Sequence, residues 1–232
     1  ASLLALTAMA KAGPLPVGLA GASYGTHETR SLIHNALTIS DDLEYIYENR
    51  GESIPPEEFN KYSLVILSHA VAQPLTAAGA AAVGKYLENG GHLLLISNAP
   101  NSLAKDLGLE NLKWFGPKRV QWQRKPVPCK PLKPDHPFLK GVFGQAQPKW
   151  LDAPMLADPA PGFEALIGDA NGRALVGVRR VGKGWVAFAG HELFRLKPQT
   201  NEDAATYIKL LRNIVAQAGP LTKAAALQDA LA

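Results

Sequence analysis

Cysteine is almost absent from this sequence: Cys129 is the single one among 232 residues. One cysteine cannot form an intrachain disulfide, and it cannot supply a cysteine-based zinc site. The low count does not identify a cellular compartment, because many exported proteins also lack disulfides. The chain must therefore build its fold on a hydrophobic core.

Charge is also sparse, with 19% charged residues against 47% hydrophobic ones. That balance supplies a sizeable core and excludes the composition of a disordered chain. The net charge of +4 is too small by itself to indicate a nucleic-acid-binding protein, and we expect no nucleic acid partner. The length fits one large domain, or a domain with a small appendage.

The first 22 residues are rich in small and apolar side chains and carry no charge before Lys11. Such a run resembles the hydrophobic part of an export signal, and positions 8–10 or 10–12 would suit a small-residue cleavage site. An amphipathic helix ending at Gly13 is the alternative. Ten apolar residues are fewer than the ~20 that span a bilayer, so a retained segment would be a weak membrane anchor. We expect an exported protein, periplasmic or membrane-associated.

The clearest structural signal lies between residues 62 and 99. Residues 64–67 and 92–96 are continuous apolar runs of strand length, and residues 76–88 between them have helical spacing. Gly90 and Gly91 end that helix. Strand, helix and strand in under forty residues predict a right-handed crossover between parallel strands, covered by helices on both faces.

Other elements extend this sheet on both sides. We predict strands at 16–20, 43–47, 174–178 and 185–189, and helices at 26–37, 102–107 and 201–218, with a further short helix in the tail 221–232. The turn Gly182-Lys183-Gly184 predicts a late antiparallel hairpin, and it lacks the spacing of a phosphate-binding loop. Residues 112–150, the basic excursion, contain seven prolines, so we expect only short edge strands or a hairpin near 119–124.

Several segments in this order resemble a known superfamily. They read YSLVILSHA, AAVGKYLENGGHLLLIS, KPDHPFLKGV and GRALVGVRRVGKGWVAFAGHELF, followed by a closing helix. Over residues 60–218 the chain resembles the class I glutamine amidotransferase-like superfamily, and within it the ThuA-like (trehalose-utilisation) and related non-catalytic branches. The resemblance implies a flavodoxin-like, doubly wound α/β fold for a domain at 23–220, which agrees with the pattern of elements. Fold alone does not fix function.

The catalytic residues that the resemblance implies are incomplete. An active amidotransferase has a cysteine on the turn after the strand that here ends at Ile96, and this chain has Ser97 there. The late strand ends in Gly190-His191-Glu192, where the superfamily has His-x-Glu. Glutamine hydrolysis is therefore not expected. If the chain is an enzyme, Ser97, His191 and Glu192 would carry the reaction. The alternative, which we favour, is that Ser97 and Asn98 cap the following turn.

Three histidines follow predicted strands or begin the helices after them. His27, His69 and His191, together with Asn98, would meet at the edge where open α/β sheets bind ligands. Such a group suits a sugar pocket or a divalent metal, although solvated loop histidines are the commoner case. We expect ligand binding here, with no resident metal and no cofactor.

The basic excursion carries the strongest charge asymmetry of the sequence. Residues 111–134 include seven lysines and arginines, no acidic residue, and aromatic side chains between them. Such a surface suits an acidic partner, a phosphate-bearing ligand or an anionic membrane. A solvated loop with its tryptophans packed on the core is the alternative. The predicted partner-binding residues are Lys113, Lys118, Arg119, Trp122, Arg124 and Lys125.

Three functions remain open at this point. The first is a non-catalytic amidotransferase-like domain that serves as an exported binding or accessory subunit of a larger complex. The second is a ThuA-like enzyme that acts on a carbohydrate. The third is a regulatory domain that binds a small ligand. The missing cysteine, the signal-like start and the basic excursion favour the first.

Overall fold

A mixed sheet of ten strands organises the chain in the computed structural model, which describes residues 15–20, 45–49, 54–68, 74–144, 152–190 and 201–219. The strands are β1 (Leu15–Ala20), β2 (Tyr45–Asn49), β3 (Leu64–Ser68), β4 (His92–Ile96), β5 (Pro117–Pro128), β6 (Lys130–Pro131), β7 (Asp152–Pro159), β8 (Phe163–Gly168), β9 (Ala174–Val181) and β10 (Gly184–Ala189). The α-helices are α1 (Ala77–Glu88), α2 (Ala99–Leu103) and α3 (Asn201–Ala216).

One half of the sheet is parallel, in the order β2-β1-β3-β4-β10. Leu64 of β3 pairs with His92 of β4, and Trp185 of β10 pairs with His92 from the other side. The predicted crossover from β3 through α1 to β4 is therefore confirmed. With β10 as the fifth parallel strand, this order is that of flavodoxin-like folds.

The other half of the sheet is antiparallel. β10 turns directly into β9, as the hairpin prediction required, and Gly182 in the turn has a φ of 56°. Beyond β9 the path continues through β7 to β5, while β8 pairs with β9 and with the short β6. The basic excursion thus supplies the last strand on this path.

Alternate residues of the parallel strands bury opposite faces, as a doubly wound sheet requires. One face packs against α3, with Leu94 and Ile96 of β4 contributing to the same cluster as Leu211 and Ile214. The other face packs against α1 through a separate cluster that contains Leu93, Leu95 and Leu87. Asn213 of α3 also donates to the carbonyls of Phe138 and Lys140, which ties the basic excursion to this helix.

The start and end of α1 follow from its sequence. Thr76 accepts a hydrogen bond from the backbone N–H of Gly79 and so caps the first turn. At the other end, Gly90 has a φ of 105° and the chain turns back into β4. Tyr86 Oη accepts from the N–H of His92 at 3.0 Å and donates to its carbonyl at 2.9 Å, which fixes the beginning of β4.

Several sequence predictions need correction. The helix predicted at 102–107 is wrong in both bounds: the observed helix is Ala99–Leu103, with Pro100 in its first turn, where a missing N–H costs nothing. Residues 56–61, for which no helix is predicted, form a 3₁₀-helix (Pro56–Lys61) that buries Phe59. The basic excursion forms β5, twelve residues long, and β5 pairs with β7 and not within a local hairpin.

Strands β7 and β8 have no counterpart among the predictions. The weak strand predicted at 16–20 is present as β1, between β2 and β3. The helix predicted at 26–37, residues 1–14 of the signal-like segment and the tail 221–232 lie outside the described residues. Among the described residues, no helix is long and apolar enough to cross a membrane.

Candidate functional site

Ser97 lies at the carboxyl edge of the parallel strands, directly after β4. Its backbone N–H donates to the carbonyl of Ala189 at 2.8 Å, so the turn is joined to the end of β10. Its φ is +61°, and it is the one residue other than glycine with a positive φ in the part of the chain that the structure describes. A left-handed conformation at a residue with a Cβ costs about 1–2 kcal/mol.

This geometry is that of a sharp strand-to-helix turn. In hydrolases such a strained turn lifts the nucleophile out at the top of the sheet. Pro100 does not disturb the turn, because it sits in the first turn of α2. The backbone of Ser97 therefore has the shape of a nucleophile position.

The side chain of Ser97, however, faces the protein interior. Its hydroxyl donates to Met155 Sδ at 3.8 Å, and the residue is only 2% exposed. Met155 belongs to β7, so a strand of the antiparallel half contacts the turn after β4. A nucleophile needs a path to its substrate, and a serine that is only 2% exposed is not accessible to one in this structure.

The capping role favoured for Ser97 and Asn98 is also corrected. Asn98 is the N-cap residue of α2, but its side chain makes no capping hydrogen bond. Its Oδ1 instead accepts from Asn101 Nδ2 at 2.7 Å, and Asn101 also donates to the carbonyl of Val120 at 3.0 Å. These two bonds join the turn to β5, so that both β5 and β7 adjoin the carboxyl edge.

The remaining residues predicted for this edge lie outside the described residues: His27, His69, His191 and Glu192. Their meeting with Ser97 and Asn98 stays a prediction. Among the described residues, no group of three His, Cys, Asp or Glu side chains is placed to hold a metal ion.

A second candidate site lies on β5 and the turn before it. The residues predicted to bind a partner are all exposed: Lys113, Lys118, Arg119, Trp122, Arg124 and Lys125. Trp122 is 58% exposed, and it is the one large hydrophobic side chain so exposed among the described residues. By contrast Trp114 is buried and donates to the carbonyl of Ala80 at 3.0 Å. Of these two tryptophans, Trp122 is therefore available on the surface, whereas Trp114 is part of the core.

The cations of this surface are not equivalent. Arg119 Nε donates to Asp158 Oδ2 at 2.8 Å, and the same oxygen accepts from Gln121 at 2.8 Å. Lys133 contacts Glu164 at 3.2 Å. No ion pair engages Lys118, Arg124 or Lys125 within the described ranges.

The segment that carries Arg124 and Lys125 is a bulge in β5. Pairing with β7 shifts register between Trp122 and Val127. Arg173, in the turn between β8 and β9, donates from Nη1 to Gln123 Oε1 at 2.9 Å and from Nε to Asp169 Oδ2 at 2.8 Å. Asp169 is 2% exposed. The buried carboxylate of Asp169 therefore orients the Arg173 side chain, and Arg173 in turn is hydrogen-bonded to Gln123 in the bulge.

Burial raises the pKa of the Asp169 carboxyl, but hydrogen bonds outweigh it and the pKa lies below its usual value. The donors are Arg173, through side chain and backbone, and the backbone N–H of Asn171.

Asp169 and Met155 are not among the candidate site residues identified from the sequence. The run Asp-Ala-Asn-Gly at 169–172 is a typical turn signal and could have identified Asp169; nothing in the local sequence points to Met155.

No family model matches the sequence, and no curated protein sequence matches it significantly. Solved structures with the same fold are nevertheless found at low identity. A cytoplasmic protein of Salmonella typhimurium, STM3548, aligns with a TM-score of 0.61 and 11% identity, over 88% of this chain and 98% of its own. The N-terminal domain of mmIFT52 aligns with a TM-score of 0.55 and 14% identity, over 87% and 97%.

A ThuA-like protein from Parabacteroides merdae aligns with a TM-score of 0.51 and 13% identity, over 86% of this chain and 88% of its own. These likenesses show the fold alone. The chain has a flavodoxin-like α/β fold with a mostly parallel first half, as the sequence predicted. The fold is shared with a ThuA-like protein.

Proposed function

We propose that this chain is a non-catalytic amidotransferase-like domain that serves as an exported binding or accessory subunit of a larger complex. The observation that carries the proposal is the burial of Ser97, whose hydroxyl contacts Met155 Sδ at 3.8 Å with 2% of the residue exposed. The position that needs an accessible nucleophile holds a buried serine whose hydroxyl contacts a neighbouring strand.

The covering is built into the sheet. β7 supplies Met155, and β5 is bonded to α2 through Asn101 and the carbonyl of Val120. Met155 is packed in a buried cluster with Val120 and Phe188, so that moving it away from Ser97 disturbs this cluster. Burial of apolar side chains of this size contributes about 1.5–3 kcal/mol each, which opposes opening during a catalytic cycle.

The binding part of the proposal is supported by β5. This strand exposes Trp122 and several lysine and arginine side chains. Tryptophan and arginine are among the side chains that most often dominate the binding energy of protein interfaces. The export part is supported by the composition of residues 1–14, which precede β1 and are rich in the small and apolar side chains of a signal segment. Subcellular fractionation of the native source tests it, and recovery only in the cytosol would contradict it.

The central experiment is purification of the tagged full-length chain from its native source at mild salt, with the Ser97→Ala variant in parallel. We expect one partner in near-stoichiometric amount with both proteins, because the hydroxyl takes no part in binding. The absence of such a partner, together with a hydrolytic activity that Ser97→Ala abolishes, contradicts the proposal.

One observation favours a second function. The φ of +61° at Ser97 is the conformation of a nucleophile on a strand-to-helix turn. If Met155 moves away from Ser97, the chain could act as a ThuA-like enzyme on a carbohydrate. Ser97 would then be the nucleophile, His191 the general base, and Glu192 the carboxylate that orients His191. In that case His191→Ala abolishes activity while the circular dichroism spectrum stays unchanged. A binding subunit retains its partner in the same variant.

A further inference from the structure

The geometry points to a partner of defined chemistry: an acidic protein segment with aromatic or apolar side chains, bound at the bulged end of β5. We name Trp122, Arg124 and Lys125 the β5 bulge surface. The inference rests on the proposed binding function and specifies what that function recognises.

Most features of β5 have an explanation without a partner. β5 is the terminal strand of the sheet path, and lysines, prolines and bulges on an edge strand prevent pairing with other chains. Trp122 does the opposite, because tryptophan offers a large apolar surface that a partner can bury and is enriched at interfaces. It is therefore Trp122, at 58% exposure and beside cations that form no ion pair among the described residues, that supports a binding role.

Trp122 is presented from a rigid backbone. It pairs with the buried Met155 across β5 and β7, and it follows the buried Val120 by two positions, so the three share one face of the strand pair. Val120 and Met155 belong to the same core cluster. A rigid aromatic side chain loses little conformational entropy on binding, which is the property of an interface hot spot.

The charge beside Trp122 selects an acidic partner. No acidic residue occurs between Glu110 and Asp135. Arg119 is already paired with Asp158, whereas no ion pair to Arg124 or Lys125 exists within the described ranges. A carboxylate brought to the bulge would therefore meet positive charge with no competing acid of the same segment. Such complementarity steers association and rejects basic partners.

The bulge is held in place before any partner arrives. Gln123 lies between Trp122 and Arg124, and Arg173 donates to its side chain at 2.9 Å while being held by the buried Asp169. Because the segment is fixed in advance, binding requires less ordering of the protein. Asp169 and Arg173 are positioning residues for the β5 bulge surface and make no contact with the partner in this proposal.

A nucleic acid fits this surface less well than a protein does. Affinity for nucleic acid depends on neutralising many phosphates, and single-strand binders stack successive bases on several aromatic side chains. The β5 bulge surface offers two cations and one tryptophan. A compact acidic motif with one or two aromatic side chains matches that size.

The test measures binding of labelled peptides to the full-length protein by fluorescence anisotropy at low salt. One peptide is a run of glutamates with two central phenylalanines, and the other has glutamates alone. We expect the phenylalanine peptide to bind, and Trp122→Ala to weaken it at least about tenfold. The pair Arg124→Glu and Lys125→Glu should weaken both peptides by a similar factor. The pair Lys85→Glu and Lys105→Glu makes the same charge change elsewhere and should leave binding within about twofold.

Three results overturn the inference. One is saturable binding of neither peptide up to about 1 mM. Another is equal binding by the wild type, Trp122→Ala and the Arg124/Lys125 pair. The third is a Trp122-dependent preference for heparin or for phosphatidylglycerol vesicles over the peptides. If the native partner copurifies undiminished with the Arg124/Lys125 pair, this inference fails while the proposed function stands; if no partner copurifies with the wild type, the proposed function fails.

Discussion

The ring of His92 stacks on the indole of Trp185, with centroids 4.7 Å apart and planes 20° apart. His92 is the first residue of β4 and Trp185 is the second residue of the adjacent parallel strand β10, and the two pair in register. The indole Nε1 of Trp185 donates to the carbonyl of Gln217 near the end of α3. The stack therefore connects the sheet to its closing helix, and His92 Nδ1 is buried there without a hydrogen-bond partner within the described part of the chain.

This stack predicts that acid destabilises the fold through His92. Burial lowers the pKa of His92 to about 4; the Ala218 carbonyl acts in the opposite direction, and Arg180 lowers the pKa further. The unfolded chain, with an ordinary pKa near 6.5, binds the proton more readily. Stability is thus complete above about pH 6.5 and falls as the pH drops toward 4, by about 3 kcal/mol at most. Urea unfolding at a series of pH values measures this loss.

The matched variant for this prediction is His92→Phe, which keeps an aromatic ring on Trp185. His136 also has a pKa lowered by burial, with Glu164 opposing and Arg180 adding to the effect, so it contributes to the same slope in both proteins. The difference between the two pH profiles isolates His92. Parallel profiles for wild type and variant would show that His92 gains no proton on unfolding.

The turn after β4 predicts an unusual response to glycine. Ser97 has a φ of +61°, a conformation that glycine adopts without strain. We expect Ser97→Gly to raise the free energy of unfolding by about 1 kcal/mol, and Ser97→Val to lower it by about 2 kcal/mol, because a β-branched side chain is strained there and crowds Met155. Thermal unfolding of both variants measures this, with Ser97→Ala as the control that keeps the strain. A lower melting temperature for Ser97→Gly than for Ser97→Ala would contradict a strained turn.

The parallel core could be predicted from local pattern, because its signals lie within forty residues. The apolar runs at β3 and β4, the spacing of α1 and the glycines after it are each a short-range property of the chain. The hairpin of β9 and β10 is equally local. These elements place Ser97 at the carboxyl edge, so the candidate position was found from the sequence.

The burial of Ser97 could not be predicted from local sequence pattern. Met155 reaches Ser97 because β7 joins the sheet beside β9, and the contact joins residues 58 positions apart. The prolines of β5 argued against a long strand. The structure places Pro117 and Pro128 at its ends and Pro126 in its bulge, where a missing N–H is tolerated. Register and long-range pairing decide what covers an active-site turn.

Gly91 predicts a strict size limit at the start of β4. A Cβ at this position would overlap the ring of Tyr86, which is fixed by its two hydrogen bonds to His92. We expect Gly91→Ala to destabilise the protein by about 1–3 kcal/mol through overpacking. Gly144→Ala is the matched control, since nothing lies within 4 Å of a Cβ there. Urea unfolding of the two variants measures the contrast, and equal midpoints would show that Tyr86 can move aside.

The link from Asp169 through Arg173 to Gln123 predicts that a change in one turn alters a distant surface. Asp169→Asn removes the charge that holds the guanidinium, whose remaining side-chain bond is to Gln123. We expect a loss of about 1–3 kcal/mol in the free energy of unfolding. Because folding lowers the pKa of Asp169, the wild type should lose this contribution as the pH falls below about 4. The variant should not show that loss.

The effect of Asp169→Asn on the β5 surface can be measured as hydrogen exchange in the bulge of β5. With the bulge less firmly held, its backbone amides should exchange hydrogen for deuterium faster in Asp169→Asn than in the wild type, while those of β3 and β4 stay unchanged. Arg119→Gln, which breaks the separate contact with Asp158, is the control: it should leave exchange in the bulge unaltered. Equal exchange at residues 123–125 in Asp169→Asn and wild type would mean that Arg173 does not hold the bulge, and that Trp122 is presented by the pairing of β5 with β7 alone.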